Sequence, residues 1–174
     1  MKLPKLVITD IDGVWTDGGM YYDQSGNEWK KFNTTDSAGV LFLRLLDIPL
    51  AIITGEETYI VKRRAEKLNV QYLFMGVKDK VAVAKQLCKQ LDIELKDVAF
   101  IGDDLNDLPL LKLVGFSASP ANAPEYIKHF VDLKLDIKGG DGAFRAFVEE
   151  IIKNSSNLNQ VIQLFYSSQL KLNQ

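Results

Sequence analysis

A short apolar run leads into two carboxylates and a glycine in the segment Leu6-Val7-Ile8-Thr9-Asp10-Ile11-Asp12-Gly13. Runs of this kind are typical of a central parallel strand that is covered on both faces. Ligands of open α/β sheets bind beyond the carboxyl ends of the strands, so we expect Asp10 and Asp12 at a binding site. Because two close carboxylates repel each other, a divalent metal such as Mg²⁺ with a third acidic ligand would stabilise the pair. An ordinary polar exit from a strand explains these residues, taken alone, equally well.

The composition is that of an ordinary globular protein. The chain has 174 residues, of which 47% are hydrophobic and 25% are charged, and its net charge is −2. This length suits one domain, and the balanced charge argues against nucleic acid or a membrane surface as a partner. Cys88 is the only cysteine, which excludes an intramolecular disulfide. With no apolar leader or membrane-spanning run in the sequence, we expect a cytoplasmic location.

A β-hairpin insertion is predicted at about residues 18–33. Aromatic residues flank the turn-forming cluster Gln24-Ser25-Gly26-Asn27, as is common in hairpins. The aromatic residues are Tyr21, Tyr22, Trp29 and Phe32. They offer more apolar surface than two strands can bury alone, so we expect the hairpin to pack against another subunit.

The residues that follow the hairpin could either cap a helix or contact a ligand. The candidates for ligand contact are Thr34, Thr35, Asp36, Ser37 and Ala38. Threonine, aspartate and serine are favoured at helix N-termini. The free N–H groups of a helix N-terminus beside a strand-end site can also bind an anionic or hydroxylated ligand, so both interpretations stay open.

Three later segments also place polar or charged groups near the ends of predicted strands. Leu50–Ile53 runs into Thr54-Gly55, which can present a hydroxyl and backbone N–H groups to a phosphate. Lys80 lies near the start of a predicted helix, where the macrodipole disfavours a cation; this suggests a role beyond helix stability, although a surface lysine is the simpler explanation. The apolar run 98–101 precedes Gly102-Asp103-Asp104-Leu105-Asn106-Asp107, which supplies the third acid.

Strands alternate with helices throughout, which predicts a doubly wound α/β fold with a parallel sheet. Two further short strands are predicted at 114–117 and 130–132. Residues 1–153 are expected to form one domain, and 154–174 a C-terminal tail with a helix whose partner in the chain is not evident. His129, the only histidine, is far from the acidic motifs, so a structural role is expected.

The order of these motifs resembles that of the haloacid dehalogenase superfamily of phosphotransferases. Its four motifs match Asp10-Ile11-Asp12-Gly13, Thr54-Gly55, Lys80 and 102–107. The resemblance implies a doubly wound Rossmann-like core and a phosphatase mechanism with an aspartyl-phosphate intermediate.

The resemblance also implies a role for each motif residue. Asp10 would be the nucleophile and Asp12 the general acid and base. Mg²⁺ would be held by the Asp10 carboxylate, the backbone carbonyl of Asp12, and Asp103. Lys80 and Thr54 would bind the phosphoryl oxygens.

The gaps between the motifs are too short for a cap domain, so the chain resembles the capless group of the superfamily. In that group a hairpin after the first motif joins a central barrel of a tetramer, and a neighbouring subunit covers each active site. Within it, the chain resembles phosphatases of 2-keto-3-deoxy sugar acid phosphates over about its first 150 residues. The matching positions are 32–36, Gly39, Arg64 and 139–145.

One departure bears on the substrate. Phosphatases of the eight-carbon 3-deoxy-manno-octulosonate 8-phosphate typically have arginine directly after Thr-Gly, where this chain has Glu56, and commonly lack a lysine at the position of Lys67. The pattern looks more like that of phosphatases of nine-carbon nonulosonate phosphates in sialic acid type biosynthesis. It predicts 2-keto-3-deoxy-glycero-galacto-nononate 9-phosphate as the substrate, with the eight-carbon compound as the alternative. Gly55, Glu56, Arg64 and Lys67 are therefore candidate substrate-binding residues.

Two alternative functions lack this phosphatase activity. A non-catalytic relic would be expected to have lost Asp10, Asp12 or Asp103, and all three are present. A phosphoaspartyl receiver also clusters acids at strand ends, but it takes its acidic pair and its phosphoacceptor from separate early strands. Both readings are disfavoured.

Overall fold

Short strands alternate with helices in the computed structural model, which describes residues 2–155 and 158–172. The strands are β1 (Leu6–Thr9), β2 (Tyr21–Tyr22), β3 (Glu28–Trp29), β4 (Leu50–Ile53), β5 (Tyr72–Phe74), β6 (Val98–Ile101), β7 (Phe116–Ser119) and β8 (Leu133–Lys134). The helices are α1 (Asp36–Leu45), α2 (Tyr59–Lys67), α3 (Lys80–Leu91), α4 (Leu108–Leu111), α5 (Glu125–Lys128), α6 (Ala143–Ser155) and α7 (Leu158–Leu172).

In this part of the chain, six strands form one parallel sheet in the order β5-β4-β1-β6-β7-β8. The central strand β1 is buried along its whole length, and its Val7 pairs with Leu50 of β4 and Ala99 of β6. Because parallel strands end at the same edge of a sheet, the residues that follow β1, β4 and β6 meet there. The predicted doubly wound α/β fold is confirmed.

Helices cover both faces of the sheet. Val7 belongs to an apolar layer with α1, α2 and α6, whereas Leu6 and Ile8 belong to a second layer with α3, α4 and α5. Trp15 stacks on Phe144 in the first layer, with ring centroids 4.5 Å apart. Trp15 belongs to the loop after β1, so this stacking anchors the loop in the apolar core.

The predicted hairpin follows β1, where β2 and β3 pair antiparallel. Its Tyr21, Tyr22 and Trp29 side chains are about half exposed or more, at 45%, 65% and 51%. Phe32 was expected to share this surface, but it packs against the core, and the Arg64 guanidinium lies over its ring at 5.8 Å. The described residues contain no cap domain, because only this hairpin lies between β1 and α1 and only α2 lies between β4 and β5.

Two strands lie further along the chain than the sequence predicts. β7 begins at Phe116, and the Gly115 N–H directly before it donates to the carbonyls of Leu95 and Val98. The last strand was expected at 130–132 but is β8, Leu133–Lys134. Asp132 lies directly before this strand, and its carboxylate accepts hydrogen bonds from the Ser117 N–H and hydroxyl at 2.8 Å each.

The C-terminal helix α7 has a partner within the chain, which the sequence alone left open. It contacts α1 and α6, and its Val161 is buried in the first apolar layer. Residues 156–157 and 173–174 of the predicted tail lie outside the described residues. Among the described helices, none is both long enough and apolar enough to cross a membrane.

Candidate active site

A polar cavity of about 370 Å³ opens at the carboxyl edge of the sheet. The loops after β1, β4, β6 and β7 all contribute to it. Its lining comprises Asp10, Asp12, Gly13, Asp17, Gly18, Thr54, Gly55, Glu56, Asp103, Asp104, Asn106 and Asn122. The residues of three predicted motifs therefore meet in one place, as the strand order requires.

Lys80 forms the centre of the charged cluster beneath this cavity. Its side chain is 1% exposed, and its Nζ lies 2.7 Å from Asp10 Oδ1 and 2.5 Å from Asp107 Oδ1. Burial lowers the pKa of Lys80, but the charges of Asp10 and Asp107 outweigh that effect and leave the pKa above its ordinary value. The surface-lysine explanation is wrong. Lys80 is the first residue of α3, and from this position its ammonium lies between the two carboxylates.

Asp103 completes a group of three acids with Asp10 and Asp107. One carboxylate oxygen of each lies within 4.8 Å of the others. Burial, and then the neighbouring carboxylates, raise the pKa of Asp103 to about 8. Burial and the charge of Asp107 raise the pKa of Asp10 to about 7 against the opposing effect of Lys80. One ammonium thus faces three acids, and the unbalanced negative charge favours a divalent cation.

The hydrogen bonds show which of these acids has a carboxylate oxygen free to bind a metal. Asp103 Oδ1 is buried and has no hydrogen-bond partner. Asp107, by contrast, uses one oxygen for Lys80 and the other for the N–H groups of Asp103 and Asp104, at 3.0 and 3.2 Å. Asp103 therefore fits a metal ligand better than Asp107, which shapes the loop that carries Asp103.

Asp12 lies outside this group of acids and forms an ion pair that the sequence did not reveal. Lys30, directly after β3, places its Nζ 2.7 Å from Asp12 Oδ1 and 2.6 Å from Oδ2. The predicted metal contact of Asp12 runs through its backbone carbonyl, so this side-chain pairing does not conflict with it. Sequence reasoning missed Lys30 because Lys30-Lys31 in a hairpin resembles a solvated edge.

Asn122 was also missed, and it fixes the loop that carries Asp12. Its side-chain amide donates to the Gly13 carbonyl at 3.0 Å and accepts from the Gly139 N–H at 2.6 Å. Gly13 itself has φ +81°, and a Cβ there would overlap the Asp103 carboxylate. Nothing in the sequence around Asn122 announces this role, since it depends on three loops meeting.

The candidate phosphate and substrate groups after β4 lie where they were predicted. Thr54 is buried at the cavity wall, while Gly55 and Glu56 are exposed at its rim. The Thr54 backbone bonds to both Phe74 and Val77, which fixes the threonine relative to β5. Thr54, Gly55 and Glu56 are thus brought together with Asp10.

The other predicted substrate-binding residues do not line this cavity. Thr34, Thr35, Ser37 and Ala38 are outside the cavity lining, and the Asn33 side chain accepts from the Thr35 N–H and hydroxyl. Asp36 is fully buried, and it accepts from the Arg145 N–H at 3.0 Å. Burial raises the pKa of Asp36 to about 6. The Asp36 carboxylate thus links α1 to α6. Within one chain Asp36 does not reach the cavity, so its predicted contact with a substrate is not seen.

Arg64 and Lys67 of α2 are also outside the cavity. Arg64 donates to the Asn33 carbonyl at 3.1 Å, and Lys67 is exposed at the end of the helix. Contact of either residue with a substrate held by a second copy of the chain stays a prediction.

Comparison with known proteins places this arrangement in a family. Residues 74–147 match the model of haloacid dehalogenase-like hydrolases. The 3-deoxy-D-manno-octulosonate 8-phosphate phosphatase of Haemophilus influenzae is 39% identical over 149 residues, which cover 86% of this chain and 83% of that protein.

Two solved structures are similar to the whole fold. A probable YrbI family phosphatase from Pseudomonas syringae superposes with a TM-score of 0.90 at 38% identity, covering 95% of this chain and 94% of that one. The 3-deoxy-D-manno-octulosonate 8-phosphate phosphatase of Moraxella catarrhalis, in complex with a magnesium ion, a phosphate ion and KDO, gives a TM-score of 0.90 at 38% identity, with 94% of each chain covered. The chain therefore belongs to the haloacid dehalogenase-like hydrolases and, within them, to the phosphatase family of these relatives.

Proposed function

We propose that this protein is a Mg²⁺-dependent phosphatase of a 2-keto-3-deoxy sugar acid phosphate, with 3-deoxy-manno-octulosonate 8-phosphate as its first candidate substrate. The observation that carries the proposal is the cavity lined by Asp10 and Asp103, where the buried Asp103 Oδ1 has no partner and Asp10 is paired with the buried Lys80. The eight-carbon substrate is supported by the relatives, whose names specify that compound. The nine-carbon substrate predicted from Glu56 finds no such support and becomes the second candidate.

In this proposal Asp10 attacks the phosphorus of the ester. A bond forms between an Asp10 oxygen and phosphorus, and the bond from phosphorus to the sugar oxygen breaks. Asp12 gives a proton to that leaving oxygen, because an alkoxide is a poor leaving group. Asp12 then takes a proton from water as the water attacks phosphorus, which releases phosphate and restores the Asp10 carboxylate.

The remaining groups would stabilise the phosphoryl group during both transfers. An ammonium has three N–H donors, and Lys80 spends two on Asp10 and Asp107, which leaves one for a phosphoryl oxygen. The Thr54 hydroxyl would bind a second oxygen. Mg²⁺, held by Asp10, the Asp12 carbonyl and Asp103, would offset the negative charge of the nucleophile and the phosphate.

The two substrate candidates are separated by steady-state kinetics on both sugar acid phosphates with Mg²⁺. We expect the higher kcat/KM for the eight-carbon ester. Because Glu56 is exposed at the cavity rim, Glu56→Arg would replace repulsion of a substrate carboxylate by attraction and raise kcat/KM for that ester about 10-fold. Glu57→Arg, at an exposed neighbour outside the cavity lining, is the matched control. A higher kcat/KM of the wild type for the nine-carbon ester would reverse the assignment.

The stability of the metal-free protein should fall as pH rises from about 4 to about 8. In the folded protein Asp10 and Asp103 keep protons up to pKa values of about 7 and about 8, whereas both lose them near pH 4 when unfolded. Folding therefore takes up protons in this window, and the stability gained from them is lost as pH rises through the folded pKa values. Mg²⁺ replaces those protons, so its stabilising effect should grow with pH.

Thermal unfolding of chelator-treated protein, with and without added Mg²⁺, measures this at about pH 5.5 and about pH 8.5. We expect the Mg²⁺-induced rise in Tm to be clearly larger at the higher pH, and Asp103→Asn to flatten the metal-free profile. An equal rise at both pH values would contradict a metal at these carboxylates.

We also propose that the protein forms a homotetramer in which a neighbouring copy covers each cavity. The exposed Tyr21, Tyr22 and Trp29 of the hairpin support an apolar contact there. Light scattering that shows only monomer at micromolar concentration would refute this assembly.

A further inference from the structure

The ion pair between Lys30 and Asp12 is the most enclosed charge contact of the cavity outside the four sequence motifs. The Lys30 side chain is 0% exposed, whereas Asp12 is 27% exposed. Lys30 Nζ contacts both Asp12 oxygens, and the Thr16 hydroxyl donates to Oδ1 at 3.2 Å. One edge of the Asp12 carboxylate is thus held by protein donors, and Asp12 also lines the cavity.

Burying an ammonium costs several kcal/mol unless a close partner offsets the loss of water. Lys30 is therefore tied to Asp12, since no other carboxylate forms an ion pair with it among the described residues. Two contacts from one nitrogen fix the rotation of the Asp12 carboxylate group, which a single hydrogen bond would leave free. Thr16 is buried in the loop after β1, and its hydroxyl adds a third contact to the Asp12 carboxylate.

We propose that Lys30 is a positioning residue that fixes the orientation of the Asp12 carboxylate for the activation of water. This inference rests on the proposed function, in which Asp12 acts on both the leaving group and the water. Lys30 and Thr16 hold the Asp12 carboxylate, and Asp12 also lines the cavity in which water would attack. The segment directly after the return strand β3 thereby contributes to the active site, although none of the sequence motifs lies on it.

The two half-reactions should respond differently to the loss of Lys30. In the second, water gives a proton to Asp12, a bond forms between the water oxygen and phosphorus, and the bond from phosphorus to Asp10 breaks. Without Lys30 only the Thr16 hydroxyl still holds the Asp12 carboxylate, so its orientation is less well fixed and this step slows. In the first half-reaction, an aryl phosphate needs no proton because its phenolate leaves readily. With such an ester, formation of the phosphoenzyme should stay fast while its hydrolysis becomes slow.

The experiment compares wild type, Lys30→Met and Lys31→Met on the sugar acid phosphate and on p-nitrophenyl phosphate, with Mg²⁺ present. Lys31 is the matched control, because it neighbours Lys30 but is exposed and lies 3.8 Å from Asp141. We expect Lys30→Met to lower kcat on the sugar ester about 10²-fold while KM changes little. With p-nitrophenyl phosphate it should show a burst of one nitrophenolate per active site, and intact-mass analysis should show phosphorylated protein. Lys31→Met should behave like wild type.

Lys30→Gln is a second variant that separates the positioning role from a folding defect. Its amide can still donate to one Asp12 oxygen, so we expect a kcat between those of wild type and Lys30→Met. Equal losses of kcat on both esters, with no burst and no phosphoenzyme, would overturn the positioning role. An unchanged kcat in Lys30→Met and Lys30→Gln would overturn it as well. A wild-type protein that releases phosphate from neither ester would overturn the proposed function and this inference with it. Active wild type combined with unaffected Lys30 variants would overturn this inference alone.

Discussion

Asp10→Asn is expected to lower kcat on the sugar acid phosphate by about 10⁴-fold or more, because it removes the atom that forms the covalent bond to phosphorus. The fold should not suffer. An asparagine oxygen can still accept the hydrogen bond from Lys80, which lies 2.7 Å from Asp10 Oδ1. The substitution also removes one of three mutually repelling carboxylates, so the Tm of metal-free protein should be no lower than that of wild type.

Steady-state kinetics, thermal unfolding and intact-mass analysis on the same preparation test this expectation. No phosphorylated protein should form in Asp10→Asn. Asp92→Asn is the matched control, because Asp92 is exposed at the end of α3 with φ +54°, a conformation that asparagine tolerates well. Retention of kcat within about 10-fold of wild type would exclude Asp10 as the nucleophile.

Lys80→Met should damage both stability and activity. It leaves Asp10 and Asp107 buried without their common counter-charge, a change that typically costs about 3–5 kcal/mol. It also removes a donor from the phosphoryl group, which is expected to lower kcat about 10²–10³-fold. Because burial and neighbouring charges raise the pKa of Asp10 to about 7, protonation should relieve part of the stability loss at lower pH.

Chemical denaturation at about pH 8 and about pH 5.5 measures the loss, and we expect it to be smaller at the lower pH. Lys78→Met, an exposed lysine two residues earlier, is the control for a lost surface charge. Lys80→Arg should not restore activity, because a planar guanidinium at this buried position does not reproduce the short contacts of one ammonium with Asp10 and Asp107. If Lys80→Met proved as stable and as active as Lys78→Met, the central role of this lysine would be disproved.

Much of the fold and of the charged cluster could be predicted from the sequence, because both depend on local patterns. The apolar runs at β1, β4 and β6 give the strands, and parallel pairing then brings the residues after them to one edge. Asp10, Thr54 and Asp103 were found this way. Lys80 was found from a conflict with helix electrostatics that the buried ion pairs resolve.

The remaining features depend on contacts between distant segments, which local patterns do not encode. Lys30 reaches Asp12 only because the hairpin folds back across 18 positions of the chain. Asn122 reaches Gly13 across 109 positions. The burial of Asp36 depends on α6, and the docking of α7 on α1, so neither follows from the residues around them.

The pairing of β1 has a consequence for how the protein is made. Val7 is synthesised well before Ala99, its second neighbour in the sheet. Parallel pairing across such a separation is slow, because the entropy of closing the intervening loop is lost before contacts compensate for it. During translation the apolar strand beside Asp10 therefore remains open to chaperones and to aggregation until β6 has left the ribosome. β1, which ends directly before Asp10, is among the first parts of the sheet to be synthesised, yet it is enclosed only after β6 has followed.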